Sequence, residues 1–220
     1  MSDFAEVTSP TFVKYVSKDT WDHLQQGSFK FGSASHYRSI ENPNIRDARE
    51  GYGHFSLQDD NSNQLNVSLL AGNNCVLYCG TRENVEDKTM RERFGPLRIQ
   101  IDDVTGFMDR ARKCLGASKA RIVDVVYRNA AHFSTELETV GKFIEITSRG
   151  ACAPTTLRKL NRQYFGPFYE FGLLPGLFIK PVGYAIERER RMAFELRKDR
   201  REAIIREDKK LLSYVKFLPD

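Results

Sequence analysis

Along the chain, short apolar stretches change period from two to about 3.6 and back, with glycine, proline and asparagine at the joins. "TFVKYV" (11–16) reads as a strand. "SKDTWDHLQQG" follows with an N-cap serine, a short helix and a glycine stop. In "SFKFGS" (28–33) Phe29 and Phe31 alternate onto one face of a strand. The polar segment 36–53, with Pro43 and two glycines, predicts an ordered loop or short helical turns, with a new strand near 51–58. "DDNSN" (59–63) marks a turn, "QLNVSLLA" (64–71) a strand, and "NN" a hairpin turn into "CVLYCGT" (75–81).

The second half continues in kind. A helix is predicted over 84–95, a strand over 96–102, a helix over 103–115 and a strand over 120–128. Helices are predicted over 130–144 and 155–165, then a structured aromatic loop over 166–181. The tail 199–217 predicts a C-terminal helix with Ile204, Ile205, Leu211 and Leu212 facing inward. Strands in pairs, punctuated by helices, predict an α+β fold: one domain over 1–220, its curved, largely antiparallel sheet flanked by helices. Residues 1–10 are expected to be a flexible N-terminus. There is no internal repeat, and no Gly-rich phosphate loop of GxGxxG or GxxxxGK[ST] type.

Composition narrows the class. With 40% hydrophobic residues, 15 Phe and 9 Tyr among 220, the chain can bury a substantial core. No segment approaches the ~18 apolar residues of a membrane span, and "MSDFAEVTSP" lacks the regions of a signal peptide. The expectation is a soluble, cytoplasmic protein with no membrane partner. A net charge of +5 suits an anionic partner such as a nucleotide or nucleic acid, and equally suits none. Cys75, Cys79, Cys114 and Cys152 are scattered, and the four histidines show no ligand spacing, so no metal site is expected. Cys75 and Cys79, four apart on a strand, share a face.

The densest chemistry lies in "FIKPVGYAIERERRMAFEL" (178–196), where charges sit between apolar segments. A helix is the competing reading, but Pro181 and Gly183 disrupt a helix start, which favours a strand over 184–196. Alternation then puts Met192, Phe194 and Leu196 on one face with Arg190, and Glu187, Glu189 and Arg191 on the other. Like charges ~7 Å apart along a strand raise each other's pKa, while the arginine lowers both. Such a stripe suits a site. It equally suits an exposed edge strand guarded by charge against aggregation.

The order of segments resembles a family of bacterial and phage proteins of unknown function. The resemblance runs from "FVKY" through "GSFKFGSASHYR…RDAREG" and "VLYCGTRENVEDKTMRERFGPLRIQID" to a lysine followed by Glu-x-Glu-x-Arg in "IKPVGYAIERERR". It spans about residues 11–196. Of the family's Asn-Asp-Pro-Phe-Glu-like motif only Asp47 and Glu50 match. The layout is in turn similar to that of ADP-ribosyltransferase-like folds. That similarity implies an effector that handles NAD as co-substrate, with no tightly bound cofactor, and passes ADP-ribose to an unknown macromolecular acceptor. It implies Glu189 as catalytic carboxylate, with Glu187 its partner toward the acceptor. Arg38 or Lys14 would meet phosphate, Tyr15 or Tyr37 would stack, and Ser33 and Ser35 would be the small hydroxyl residues of the second strand. Arg191 completes the late motif, and Arg38, Asp47, Glu187 and Glu189 are expected to line one cleft.

Two other readings stay open. A non-enzymatic nucleic-acid-binding or protein-binding module is suggested by aromatics among cations in "LRKLNRQYFGPFYEFG" (157–172), where Tyr164, Phe165 and Tyr169 would stack bases. A carboxylate nuclease would use Asp47, Glu50, Glu187 and Glu189 on a metal, against which the arginines abutting the late glutamates weigh.

Overall fold

The computed structural model of the chain describes residues 11–40, 51–58, 64–70, 72–82, 88–128, 132–136 and 175–218. The architecture is α+β: a large, curled antiparallel sheet with helices packed against it. The first half contributes β1 (Phe12–Val16), α1 (Lys18–Gln25), β2 (Ser28–Ser33), α2 (Ala34–Ser39), β3 (Tyr52–Gln58), β4 (Gln64–Leu70), β5 (Cys75–Thr81), α3 (Lys88–Phe94) and β6 (Leu97–Ile101). Then come α4 (Val104–Leu115), β7 (Lys119–Asp124), β8 (Val126–Tyr127), β9 (His132–Glu136), β10 (Ile179–Lys180), β11 (Glu189–Glu195), β12 (Ile204–Glu207) and β13 (Val215–Leu218). Single 3-10 turns cover Pro175–Phe178, Val182–Glu187 and Lys209–Tyr214.

Strand β5 is the axis of the main sheet. Along one edge it pairs over its whole length with β11, which pairs in turn with β7. Its other edge is shared. Strand β2 takes one part, Gly32 opposite Leu77 and Ser33 opposite Val76. Strand β1 takes the far end, Val13 opposite Thr81. Strand β12 continues the sheet beyond β2, and β6 and β13 continue it beyond β1. The sheet therefore forks at Tyr78–Gly80, where neither branch is in register with β5. A second sheet joins β4, β3 and β9, with β9 parallel to β3. A short parallel ladder joins β10 to β8.

The core lies beneath the fork. Phe12, Phe29, Phe31, Tyr78, Phe107 and Phe194 are buried together, with Tyr78 5.5 Å from both Phe31 and Phe107. Apolar spacing explains α4, whose Val104, Phe107, Ala111 and Leu115 recur every three or four residues and are all buried. Asp103 caps it, accepting from the Gly106 N–H at 2.8 Å. Ser17 caps α1 in the same way, accepting from Thr20.

Four expectations are corrected. The tail is not a helix: β12 pairs with β2, β13 with β6, and one 3-10 turn lies between. Two open strand edges there outweigh the helix propensity of Glu, Lys and Leu. Of the four inward residues expected, Ile204 and Leu211 are buried, while Ile205 is 60% exposed. His132–Glu136 is a strand, because β3 offers a parallel edge, so the predicted helix does not begin at 130. Strands β4 and β5 lie in different sheets, so the two asparagines do not close a hairpin. The long strand over 184–196 begins only at Glu189, after a 3-10 turn. The predicted helix over 155–165 lies outside the described residues.

Candidate functional site

The fork in the sheet opens a cavity of about 300 Å³. Lys14 and Tyr15 of β1 form one side, Lys30 and Gly32 of β2 another, and Cys79 and Gly80 of β5 the back. His36 and Tyr37 of α2 and Met90 and Phe94 of α3 flank it, and Lys180, Glu187, Glu189 and Arg191 lie at its floor. Two glycines make this geometry possible. A Cβ on Gly32 would stand 2.6 Å from the Tyr37 ring, so that ring lies directly on the β2 backbone. A Cβ on Gly80 would stand 2.5 Å from both the Phe12 ring and the Val13 carbonyl oxygen, so β1 could not approach β5.

The charge run turns out to be interior. Strand β11 runs between β5 and β7, so it is not an exposed edge, and the aggregation-guard reading falls. Arg190 and Arg191 are each 1% exposed and point to opposite faces. On one face Arg190 donates to both Asp124 carboxylate oxygens, at 2.6 and 3.1 Å, and to the Thr11 carbonyl at 2.7 Å. On the other, Arg191 donates through Nε to Glu189 Oε1 at 2.7 Å and through Nη1 to the Leu177 carbonyl.

Glu187 reaches the same place from the 3-10 turn, not from the strand. Arg188, between the two glutamates, adopts the left-handed conformation with φ of 40°, which ends the turn and re-aims the chain. The Glu189 N–H then donates to the Tyr127 hydroxyl at 2.7 Å, and its carbonyl accepts from the Val125 N–H at 2.9 Å. Lys180, placed by the β8–β10 ladder, puts its ammonium 2.7 Å from Glu187 Oε2 and 2.8 Å from Glu189 Oε2. Arg93 of α3 donates to Glu187 Oε1 at 2.9 Å. Three cations therefore hold two carboxylates, and all but Arg93 are nearly buried.

The two carboxylates are driven apart in proton affinity. Burial raises Glu189, but Arg191 and Lys180 outweigh it and hold the group well below the usual carboxylate range. Burial also raises Glu187; there it wins over Lys180 and is helped by the neighbouring Glu189 charge, so the net shift is upward. Burial lowers Lys180, but Glu189 and Glu187 outweigh it and hold the ammonium well above the ordinary lysine range. One carboxylate is thus a fixed anion and the other the place where a proton resides first. Burial pushes the Tyr127 phenol up to about 12, and the Cys79 thiol likewise to about 12.

Lys14 spans the gap of the fork. Its ammonium donates to the Cys79 carbonyl at 2.6 Å and sits 4.9 Å from the centre of the Tyr78 ring. Burial lowers its pKa, and the nearby Cys79 and Glu189 only partly restore it.

Of the residues singled out from the sequence, Lys14, Tyr15, Tyr37, Glu187, Glu189 and Arg191 line this one cavity. Arg38 does not line it; its guanidinium donates to Ser35 at 2.8 Å within α2. Ser33 is buried at the end of β2, where its hydroxyl caps α2 through the His36 N–H and donates to the Arg201 carbonyl. Asp47 and Glu50 lie outside the described residues, as does the aromatic and basic segment 157–172. Sequence reasoning gave no role to Lys180, Arg93, Tyr127, Lys30 or His36. Lys180 stands inside the late motif, so its nearness to the glutamates was a usable signal. Arg93 comes from another element and gave none. Among the described residues no group of three His, Cys, Asp or Glu is placed to hold a metal, and no helix is long and apolar enough to cross a membrane. Comparison with protein-family models, with curated proteins and with solved structures finds no match to the chain.

Proposed function

We propose that this chain is a nucleotide-handling enzyme resembling ADP-ribosyltransferases, which takes NAD as substrate and passes its ADP-ribosyl group to a macromolecular acceptor. The observation that carries the reading is the carboxylate pair at the cavity floor, one member held anionic and the other nearer to protonation.

The chemistry needs those two states. The bond between ribose C1′ and the nicotinamide nitrogen breaks, and its electron pair stays on that nitrogen, neutralising the pyridinium. Positive charge is left at C1′ and the ring oxygen. A carboxylate already fixed by Arg191 and Lys180 stabilises that charge without reorganising. The acceptor's oxygen or nitrogen then bonds to C1′ and gives up its proton to Glu187, which later releases it to water. Tyr15, Tyr37 and Phe94 supply apolar and aromatic surface along the cavity for the ring.

The test is release of nicotinamide from NAD by the full chain, followed chromatographically, with Glu189→Gln beside the wild type. Loss of one transition-state charge partner lowers the rate by roughly a hundredfold or more. Urea unfolding of both proteins establishes that the variant is folded. No saturable binding and no release at millimolar NAD, by folded wild type, refutes the reading.

A further inference from the structure

The floor of the cavity is electrostatically closed: Glu187 and Glu189 are matched by Lys180, Arg191 and Arg93. The opposite wall is not. Lys14 and Lys30 both face the cavity; the Glu189 charge acts on Lys14 from a distance, but among the described residues no carboxylate bridges either lysine. Counted over the lining, four cations stand against two carboxylates, with His36 able to add a fifth positive charge. A concave site with a surplus of one sign of charge concentrates ions of the other sign. Lys14 is also partly withdrawn from water, so an anion beside it is screened little.

We infer that Lys14, Lys30 and His36 form a nucleotide-phosphate subsite, which takes the diphosphate of a dinucleotide or the monoester of a mononucleotide, so that the cavity holds one nucleotide unit with its phosphate on this wall. At about 300 Å³ the cavity stands at the small end of ligand pockets. It holds a mononucleotide and leaves the second half of a dinucleotide at the rim. A phosphate monoester carries nearly two negative charges near neutral pH, which matches the surplus. Only the orientation, sugar toward Glu189, rests on the ribosyl-transfer reading; the phosphate subsite stands without it.

His36 makes the subsite readable. The charged group facing it is Lys30 on β2, and the Tyr37 ring packs 5.8 Å away on its own helix. Burial, with Lys30 adding, holds the imidazole below its ordinary value, so it is largely neutral in the empty site at neutral pH. A phosphate arriving between His36 and Lys30 reverses the balance and draws a proton onto the ring. Binding therefore strengthens as the pH falls through the range of the bound imidazole, until about pH 6, where protonation of a monoester's own phosphate offsets the gain.

The experiment follows the His36 imidazole resonances by NMR against pH, assigned with His36→Gln, in the full chain. The probes are nicotinamide mononucleotide and nicotinamide riboside, which differ only in the phosphate. The mononucleotide raises the His36 midpoint by about one pH unit, equivalent to tenfold tighter binding to the protonated form; the riboside leaves it in place. Lys30→Met, an exposed position, shrinks the rise. A midpoint unmoved by the mononucleotide, or moved equally by the riboside, overturns the subsite. The outcome is separable from ribosyl transfer. A raised midpoint without nicotinamide release leaves the phosphate subsite and removes the reaction, and release with an unmoved midpoint does the reverse.

Discussion

Lys180→Met isolates the ammonium that two buried carboxylates share. In the folded protein Lys180 lies 2.7 Å from Glu187 and 2.8 Å from Glu189. Without it, each glutamate keeps one guanidinium, and the pair loses the cation between them. Two carboxylate oxygens held at 2.7 and 2.8 Å by one ammonium stand close enough to repel by roughly 3 kcal/mol or more at an effective dielectric of ~20. Breaking a buried ion pair on one side costs about 3–5 kcal/mol by experience with such sites. Both routes agree on scale, so the loss at pH 7.5 is set at ~3–5 kcal/mol. With an urea m-value of ~3 kcal/mol/M, the unfolding midpoint falls by about 1–2 M.

The pH dependence gives the sharper test. In wild type the folded Glu189 sits below its unfolded value, so the stability it contributes is full above the unfolded range and fades as the pH falls toward its folded pKa. Glu187, raised by burial, works the other way and favours folding more as it takes up its proton. In Lys180→Met both groups shift upward, since burial and mutual repulsion remain. The folded variant then binds more protons than folded wild type over this range, so its deficit shrinks as the pH falls from 7.5 to 4.5. Each unit of upward shift returns about 1.4 kcal/mol. Urea melts at four pH values, with Lys180→Arg as the charge-preserving control, measure this. A deficit under 1 kcal/mol at pH 7.5, or one that is flat over the series, refutes the network as drawn.

Further outcomes follow from the packing. Gly80→Ala drives a methyl into the Val13 carbonyl and the Phe12 ring, and costs about 3 kcal/mol in urea melts, whereas Gly32→Ala costs ~1–2 because the Tyr37 ring can yield. Tyr37 displacement in Gly32→Ala also narrows the cavity, so ligand affinity falls further than stability. Arg188→Val forces a β-branched residue into the left-handed region and costs ~1–2 kcal/mol more in urea melts than Arg188→Gly, which loses the same side chain without the backbone strain. Arg190→Met strips Asp124 and the Thr11 carbonyl of their donor and destabilises by about 2–3 kcal/mol, yet leaves nicotinamide release by the folded fraction unchanged, since Arg190 faces away from the cavity.

What could be read from the residues alone divides along the range of the interactions. The α+β class, and strands such as "SFKFGS" and "LRIQI", follow from alternation within a few residues. Capped helices follow from Ser17 and Asp103. The facing of Met192 and Phe194 against Glu189 and Arg191 is likewise local. The tail misled, because its helix formers are neutral between a helix and two sheet edges, β2 and β6, that lie roughly 175 and 115 residues earlier in the sequence. Glu187 was assigned to the strand because no local signal marks a non-glycine residue in the left-handed region. Arg93 reaches Glu187, and His36 the cavity, only through tertiary packing. Spacing along a chain carries no information about either.

The fork has a mechanical consequence. A cleft lined by loops closes by bending; one cut between strands that diverge from a common partner has walls of β1, β2, β5 and β11 tied by ladder hydrogen bonds. Its lining is fixed by register, since moving β1 or β2 by one residue along β5 would turn every side chain to the other face. Such a cleft spends little of its own entropy on a guest, and the cost of ordering falls on whatever enters. Its repertoire is then altered by exchanging side chains on β1, β2 and α2, with the carboxylate floor, at the junction of the 3-10 turn and β11, standing apart as a fixed fitting.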